Sequence, residues 1–180
     1  MAVLAEAISV IIKIKSIEKK FFGGWEVFET LYSSRALCTD GELARIGFMS
    51  PNDTKEFVQK LEKMRLKYLQ DGKAVDIVIA DQQRGLAAKC DWAQFGRIPF
   101  DGDVSKLVPV VRSSGSTCNQ LHFPDGWNYE NSLSNKFKFV ESNSVKDNVE
   151  FLRRENNKDV YRDKKTGEIL YITNQRIKPE

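Results

Sequence analysis

From Ile8 to Lys15 the residues alternate. Ile8, Val10, Ile12 and Ile14 fall on one side of an extended chain, and Ser9, Ile11, Lys13 and Lys15 on the other. A period of two carried by β-branched residues predicts a strand with one buried face. The period then changes: Ile17, Phe21, Trp25 and Phe28 recur at spacings of four, four and three, a helical stripe. Ser16 stands where a cap belongs. Gly23-Gly24 interrupts the stripe. Two glycines inside a helix cost about 2 kcal/mol relative to alanine, so the pattern predicts a short helix, a break and a second helix from Trp25.

A hairpin follows. Ala36-Leu37-Cys38 leads into the turn dipeptide Asp40-Gly41, and Ala44, Ile46 and Phe48 then alternate with Arg45 and Gly47. Ser50-Pro51-Asn52-Asp53 opens a helix, with Ser50 as cap and Pro51 at the first helical position. Phe57, Leu61, Met64 and Tyr68 form its stripe, and Asp71-Gly72 ends it before an apolar strand from Val75 to Ala80. The first eighty residues therefore read strand, helix, strand, strand, helix, strand. That order is the signature of a ferredoxin-like βαββαβ plait, and the expected class is α+β.

Beyond residue 80 the pattern thins. Lys106 to Arg112 reads as a strand, placed at a sheet edge because of Pro109. Phe137 to Val140 reads as another. Ser144 opens a helix whose stripe is Val145, Val149 and Leu152, and Val160 to Ile172 reads as a hairpin turning at Gly167. The expected organisation is a ferredoxin-like α+β domain over 1–100, with a C-terminal α+β extension over 101–180 packed on it as strands, a helix and a hairpin.

Composition excludes several classes. There are 28 Lys+Arg against 25 Asp+Glu, for a net charge of +3. The best basic run, Lys13, Lys15, Lys19 and Lys20, is more simply a solvated edge than a nucleic-acid stripe. The three cysteines, Cys38, Cys90 and Cys118, form no CxxC, which argues against a disulfide framework or a structural zinc site. The apolar start lacks a basic flank and is broken by Glu6, so it does not read as a signal peptide. No apolar stretch has the length of a membrane span. A cytoplasmic protein is expected, with no membrane and no strong sign of a nucleic-acid partner.

The standard phosphate-loop, dinucleotide, nucleophile-elbow and zinc-protease motifs are absent, and neither cofactor nor metal is expected. His122 is the single histidine. A Cys–His pair would draw on Cys118, with Asp91 or Asp125 orienting the ring, but small core cysteines and a turn histidine are the simpler reading. Asp76, Asp81 and Asp91 sit at or after the last plait strand, where solvated turn residues are the simpler reading than an acid–base or cation site. The densest polar and aromatic cluster is Asp81-Gln82-Gln83-Arg84-Gly85 with Cys90-Asp91-Trp92. Arg84 offers a planar fork for a carboxylate or phosphate, Gln82 an amide, and Trp92 a stacking face. Asp81, Gln82, Arg84, Asp91 and Trp92 are therefore the candidate ligand or partner site. The simpler reading is structural, with Trp92 packing the two halves together and Arg84 paired with Asp81 or Asp91.

These segments carry a resemblance. Thr39-Asp40-Gly41-Glu42-Leu43-Ala44-Arg45-Ile46-Gly47-Phe48-Met49, Asp81-Gln82-Gln83-Arg84-Gly85, Cys90-Asp91-Trp92-Ala93-Gln94-Phe95-Gly96, Pro124-Asp125-Gly126-Trp127 and Phe151-Leu152-Arg153-Arg154-Glu155 resemble a family of small uncharacterised bacterial proteins. That resemblance implies a bacterial, cytoplasmic setting and brings no activity, cofactor or site residue.

The leading functional expectation is a non-enzymatic binding protein acting through protein–protein contact, with an immunity or antitoxin-type inhibitor as its specific version. The alternatives are a small-molecule-sensing ferredoxin-like regulatory domain, or a cryptic hydrolase-type enzyme using Cys, His and Asp.

Overall fold

A computed structural model describes residues 1–33, 37–117, 120–136, 149–155, 158–164, 167 and 169–173. The first half runs β1 (Ala2–Leu4), β2 (Ile8–Lys13), α1 (Ile14–Lys20), α2 (Gly24–Tyr32), β3 (Cys38–Thr39), β4 (Leu43–Phe48) and α3 (Pro51–Lys63). It continues with β5 (Leu69–Gln70), β6 (Lys73–Ala74), β7 (Ile77–Asp81), β8 (Gly85–Leu86), β9 (Ala93–Phe100) and β10 (Asp103–Ser113). β11 (Leu121–His122), α4 (Leu133–Lys136), β12 (Val149–Glu155), β13 (Lys158–Asp163) and β14 (Ile169–Thr173) complete the described elements. The class is α+β, with several sheets and four helices among the described residues.

Two sheets build the centre. The first is antiparallel and five-stranded, in the order β3-β4-β2-β7-β8. Its helix-facing side carries Val10, Ile12, Ile46 and Ile77, which pack against Ile17, Phe28, Phe57 and Leu61 of the helices. The second sheet has the order β11-β1-β10-β9 and lies on the other side of the first. Val3 and Val111 of this sheet share a core with Ile11, Leu43 and Val78 of the first. Its outer face packs Leu4, Val108 and Val110 against Tyr129 and Trp127. β12, β13 and β14 form a separate antiparallel meander.

This stacking corrects the reading of β2 as half-buried. Ser9 and Ile11, on the side expected to face water, are fully buried, because a second sheet occupies that side. Burying polar groups there requires partners. Arg45 supplies some of them: its Nε–H donates to Ser9 Oγ at 3.0 Å and a terminal NH2 to the Glu6 carbonyl at 2.9 Å. Gly47 makes room, since a Cβ there would lie 2.6 Å from that guanidinium.

Several local expectations need similar correction. The first helix begins at Ile14 with Lys13 in the cap position, and no side chain caps it. The Ser16 hydroxyl donates instead to Asp76 Oδ1 at 2.7 Å. The break at Gly23-Gly24 is present, with both glycines at positive φ (85° and 66°). Ser50 does accept from the Asp53 N–H at the start of α3, but the helix ends at Lys63. Arg65, at φ 74°, turns the chain, so Met64 is exposed and Tyr68 lies beyond the helix. Asp71-Gly72 then joins the small β5–β6 hairpin. Pro109 lies in an interior strand, not at an edge. Its carbonyl accepts from the Ala5 N–H at 2.9 Å, just past Leu4 where the β1 ladder ends. The missing donor therefore falls where no ladder bond is required. The strand read at 137–140 and the helix start at Ser144 lie outside the described residues; Val149 and Leu152, read as helical, fall in β12.

Two buried carboxylates fasten the layers. Asp76, read as a solvated turn residue, is 2% exposed. It accepts from Ser16 Oγ, from Lys20 Nζ at 2.7 Å and from the Lys67 N–H at 2.8 Å. Burial pushes its carboxyl up, but these three donors outweigh it and hold the group below its ordinary value of 3.8. Glu6 accepts from Trp127 Nε1–H at 2.9 Å, from the Ser134 N–H at 2.8 Å and from the Ser134 hydroxyl. It thereby ties residues 124–136 to the β1–β2 junction.

Because the folded carboxyl of Asp76 titrates below 3.8, its contribution to stability is complete above that pH and is lost as pH falls through the folded value. Asp76→Asn should lower the melting temperature at neutral pH and flatten the loss of stability in acid; paired thermal melts across acid pH check this. Glu6→Gln would set an amide NH2 against one of two N–H donors, a buried mismatch of about 1–3 kcal/mol. Its urea midpoint should fall accordingly.

Candidate functional site

The helix layer leaves one border of the five-stranded sheet uncovered. α3 packs on β2 and β4, and β7 and β8 continue the sheet past it. Between α3 and that border lies a cavity of about 830 Å³. Its apolar walls come from Ile8, Ile79 and Leu86 on the strands and Val58 on the helix. One rim belongs to the β7–β8 turn, with Asp81 and Arg84; the other belongs to α3 and the segment after it, with Lys55, Gln59, Glu62 and Tyr68.

The turn residues are placed by local hydrogen bonding. Asp81 Oδ1 accepts from the N–H groups of Gln83 and Arg84, both at 2.9 Å. This closes the turn, and Gly85 completes it at φ 82°. A Cβ at Gly85 would lie 3.2 Å from the Phe95 ring. The Arg84 side chain is left exposed. No carboxylate among the described residues pairs with it, so the expected pairing of Arg84 with Asp81 or Asp91 is not made. Opposite, Glu62 Oε1 accepts from the Tyr68 N–H at 3.4 Å. Burial first, and the Glu62 charge second, push the Tyr68 phenol up, so it stays neutral.

The five sequence candidates separate. Asp81 and Arg84 come together on the cavity rim. Gln82 points the other way and is 4% exposed. Its Oε1 accepts from the Ala7 N–H at 2.8 Å, while its Nε2 is buried without a hydrogen-bond partner among the described residues. Ala7 sits at φ 53°, where the chain crosses from the second sheet to the first, so Gln82 braces that crossing. Asp91 is exposed and pairs with Lys73 at 3.2 Å. Trp92 packs between the sheets, donates Nε1–H to the Ala74 carbonyl at 3.1 Å, and carries Lys13 Nζ 5.1 Å above its ring. Lys55, Gln59 and Glu62 belong to no sequence motif. Their spacings of four and three mark one polar helix face, and that was the available signal.

The residues considered for nucleophilic chemistry are placed differently. Cys38 is buried, and its thiol lies 3.7 Å from the His122 carbonyl. Burial pushes the thiol up to about 11 against the pull of Arg45, away from the thiolate a nucleophile needs. Burial raises Cys90 as well. His122 is on β11, with Nε2 buried and without a hydrogen-bond partner among the described residues. Cys118 lies outside the described residues. Among the described residues, no three His, Cys, Asp or Glu side chains gather as a metal site, and no helix is long and apolar enough to cross a membrane.

No protein-family model, curated protein or solved structure matches the chain.

In the native protein Cys38 should resist alkylation by iodoacetamide at mildly alkaline pH and react fully only after unfolding in urea. Peptide mass spectrometry reads this, and rapid native labelling of Cys38 would contradict the buried, high-pKa thiol.

Proposed function

We propose that the protein is a non-enzymatic binding protein whose ligand is a small organic acid with an apolar body, held between α3 and the β7–β8 turn. The carrying observation is the cavity of about 830 Å³ on whose rim Arg84 has no carboxylate partner among the described residues. That size suits a metabolite-sized or drug-sized ligand, and apolar walls with a few polar groups are the usual make-up of such sites. The charges favour an anion. The carboxylates of Asp81 and Glu62 already accept backbone N–H groups, whereas Arg84 and Lys55 have no carboxylate partner among the described residues. A guanidinium fork and an ammonium facing each other across an apolar floor match a carboxylate or phosphate tail.

This reading favours small-molecule sensing over contact with a protein partner. A ferredoxin-like plait is part of it. The antiparallel order β7-β2-β4-β3, with helices after β2 and after β4, supports that architecture; β8 and the second sheet are additions to it. Inhibition of a partner protein remains a second reading, supported by Val27 and Leu31. These lie four residues apart on α2 and are 40% and 54% exposed, an apolar strip suited to an interface.

The test is a thermal-shift screen of aliphatic and aromatic carboxylates and organic phosphates. A ligand at a hundred times its Kd adds about 2.7 kcal/mol, which should raise the melting temperature by roughly 5–10 °C in a chain this size. Arg84→Ala should keep the melting temperature of the free protein and lose most of the shift. A flat screen, or a shift that Arg84→Ala retains, would remove the proposal.

A further inference from the structure

The basic run read from sequence as a solvated edge gains members in three dimensions. Lys19 and Lys20 close α1, while Lys63 closes α3 and Arg65 follows it. These four side chains line one cleft of about 510 Å³, together with Phe21, Phe22, Gly23 and Met64. Among the described residues, no acidic side chain lines it. Asp76 neutralises Lys20 from beneath. Lys19, Lys63 and Arg65 have no carboxylate partner among the described residues.

Cations in the last turn of a helix offset its dipole, and that explains Lys19 and Lys63 in part. It does not explain Arg65, beyond the helix, or Phe22. The Phe22 ring is 94% exposed and Met64 beside it is 40% exposed. The turn holding Phe22 is tightly specified. The Gly24 N–H donates to the Phe21 carbonyl at 3.0 Å, and Gly23 has positive φ with no room for a Cβ, which would lie 2.3 Å from Val27. A large apolar ring is thus held out into water on a fixed turn, at a cleft that Lys19, Lys63 and Arg65 also line.

We propose that this end of the molecule docks on an anionic lipid bilayer, with Phe22 and Met64 entering the boundary between headgroups and acyl chains, and Lys19, Lys63 and Arg65 facing lipid phosphates. A fully projecting side chain needs a surface it can penetrate, and a bilayer is one. Single-stranded nucleic acid is bound along grooves with successive stacking rings, and among the described residues Phe22 is the one exposed ring at this cleft. The charges give attraction without insertion of a helix, so binding is reversible and salt-sensitive. None of the residues of the cavity beside Arg84 takes part.

The test is co-sedimentation of the full chain with vesicles of phosphatidylcholine alone, and of phosphatidylcholine mixed with phosphatidylglycerol. Binding is expected with the anionic vesicles only, and should fall as salt rises. Lys63→Gln and Arg65→Gln should each weaken it about fivefold, and Phe22→Ser should weaken it by a similar factor. The three side chains are exposed, so melting temperatures of the variants should match the parent and separate lost docking from lost folding. Four results would overturn the proposal: no vesicle binding; equal binding to neutral vesicles; anionic binding unchanged by Phe22→Ser; or displacement from vesicles by a single-stranded oligonucleotide that binds more tightly.

Discussion

The structure depends on β2 having no wet side. Val10 and Ile12 enter the core beneath the helices, and Ile11 enters the core between the sheets. A strand buried on both faces must satisfy every polar group it carries from protein partners alone. The consequences spread outward. Ser9 cannot reach water, so its hydroxyl donates to the Glu6 carbonyl at 2.9 Å and accepts from Arg45. Arg45 can lie flat between the sheets only because Gly47 has no side chain. The Glu6 carboxylate is buried in turn, and its three donors on Trp127 and Ser134 fix the segment that covers the outer face of the second sheet. One buried strand therefore organises polar contacts through three layers.

The candidate site is a by-product of the same layering. The helix-covered sheet has five strands, and α3 lies over β2 and β4. Beyond it the sheet continues with Ile79 on β7 and Leu86 on β8, which with Val58 of α3 line the cavity beside Arg84. The β7–β8 turn closes on the Asp81 carboxylate through backbone N–H groups. That arrangement spends the carboxylate on the turn and leaves the guanidinium to face outward.

What the sequence made legible follows from which forces are local. The alternation at Ile8–Ile14, the Gly23-Gly24 break, the Asp40-Gly41 turn and the Ser50-Pro51 helix start are set by neighbours in the chain, and each has its counterpart in the structure. The hidden features are those set by distant residues. β1 is three residues long, too short to show a period. β9 contains Gly96 and Pro99, which read as loop punctuation. The second sheet, assembled from β1 and from β9 to β11, shows in no one segment, and so the local pattern puts Ser9 in solvent; it puts Asp76 there because the donors that hold it lie on α1 and after α3. At the site, Arg84 was legible because its side-chain chemistry is conspicuous in a turn. Lys55, Gln59 and Glu62 looked like an ordinary wet helix face.

β1 also bears on how the chain assembles during synthesis. Its neighbours in the sheet are β10 and β11, antiparallel to one and parallel to the other. Residues 2–4 leave the ribosome well before their partners at 110–111 and 121–122, which come more than a hundred positions later. Until then the nascent protein holds an unpaired apolar strand, and the sheet containing Ile11 has one side bare. Contacts so far apart in sequence slow the final closure, and an exposed strand edge in the interval is open to wrong partners. The late-made β9–β10 hairpin is what ends that exposure.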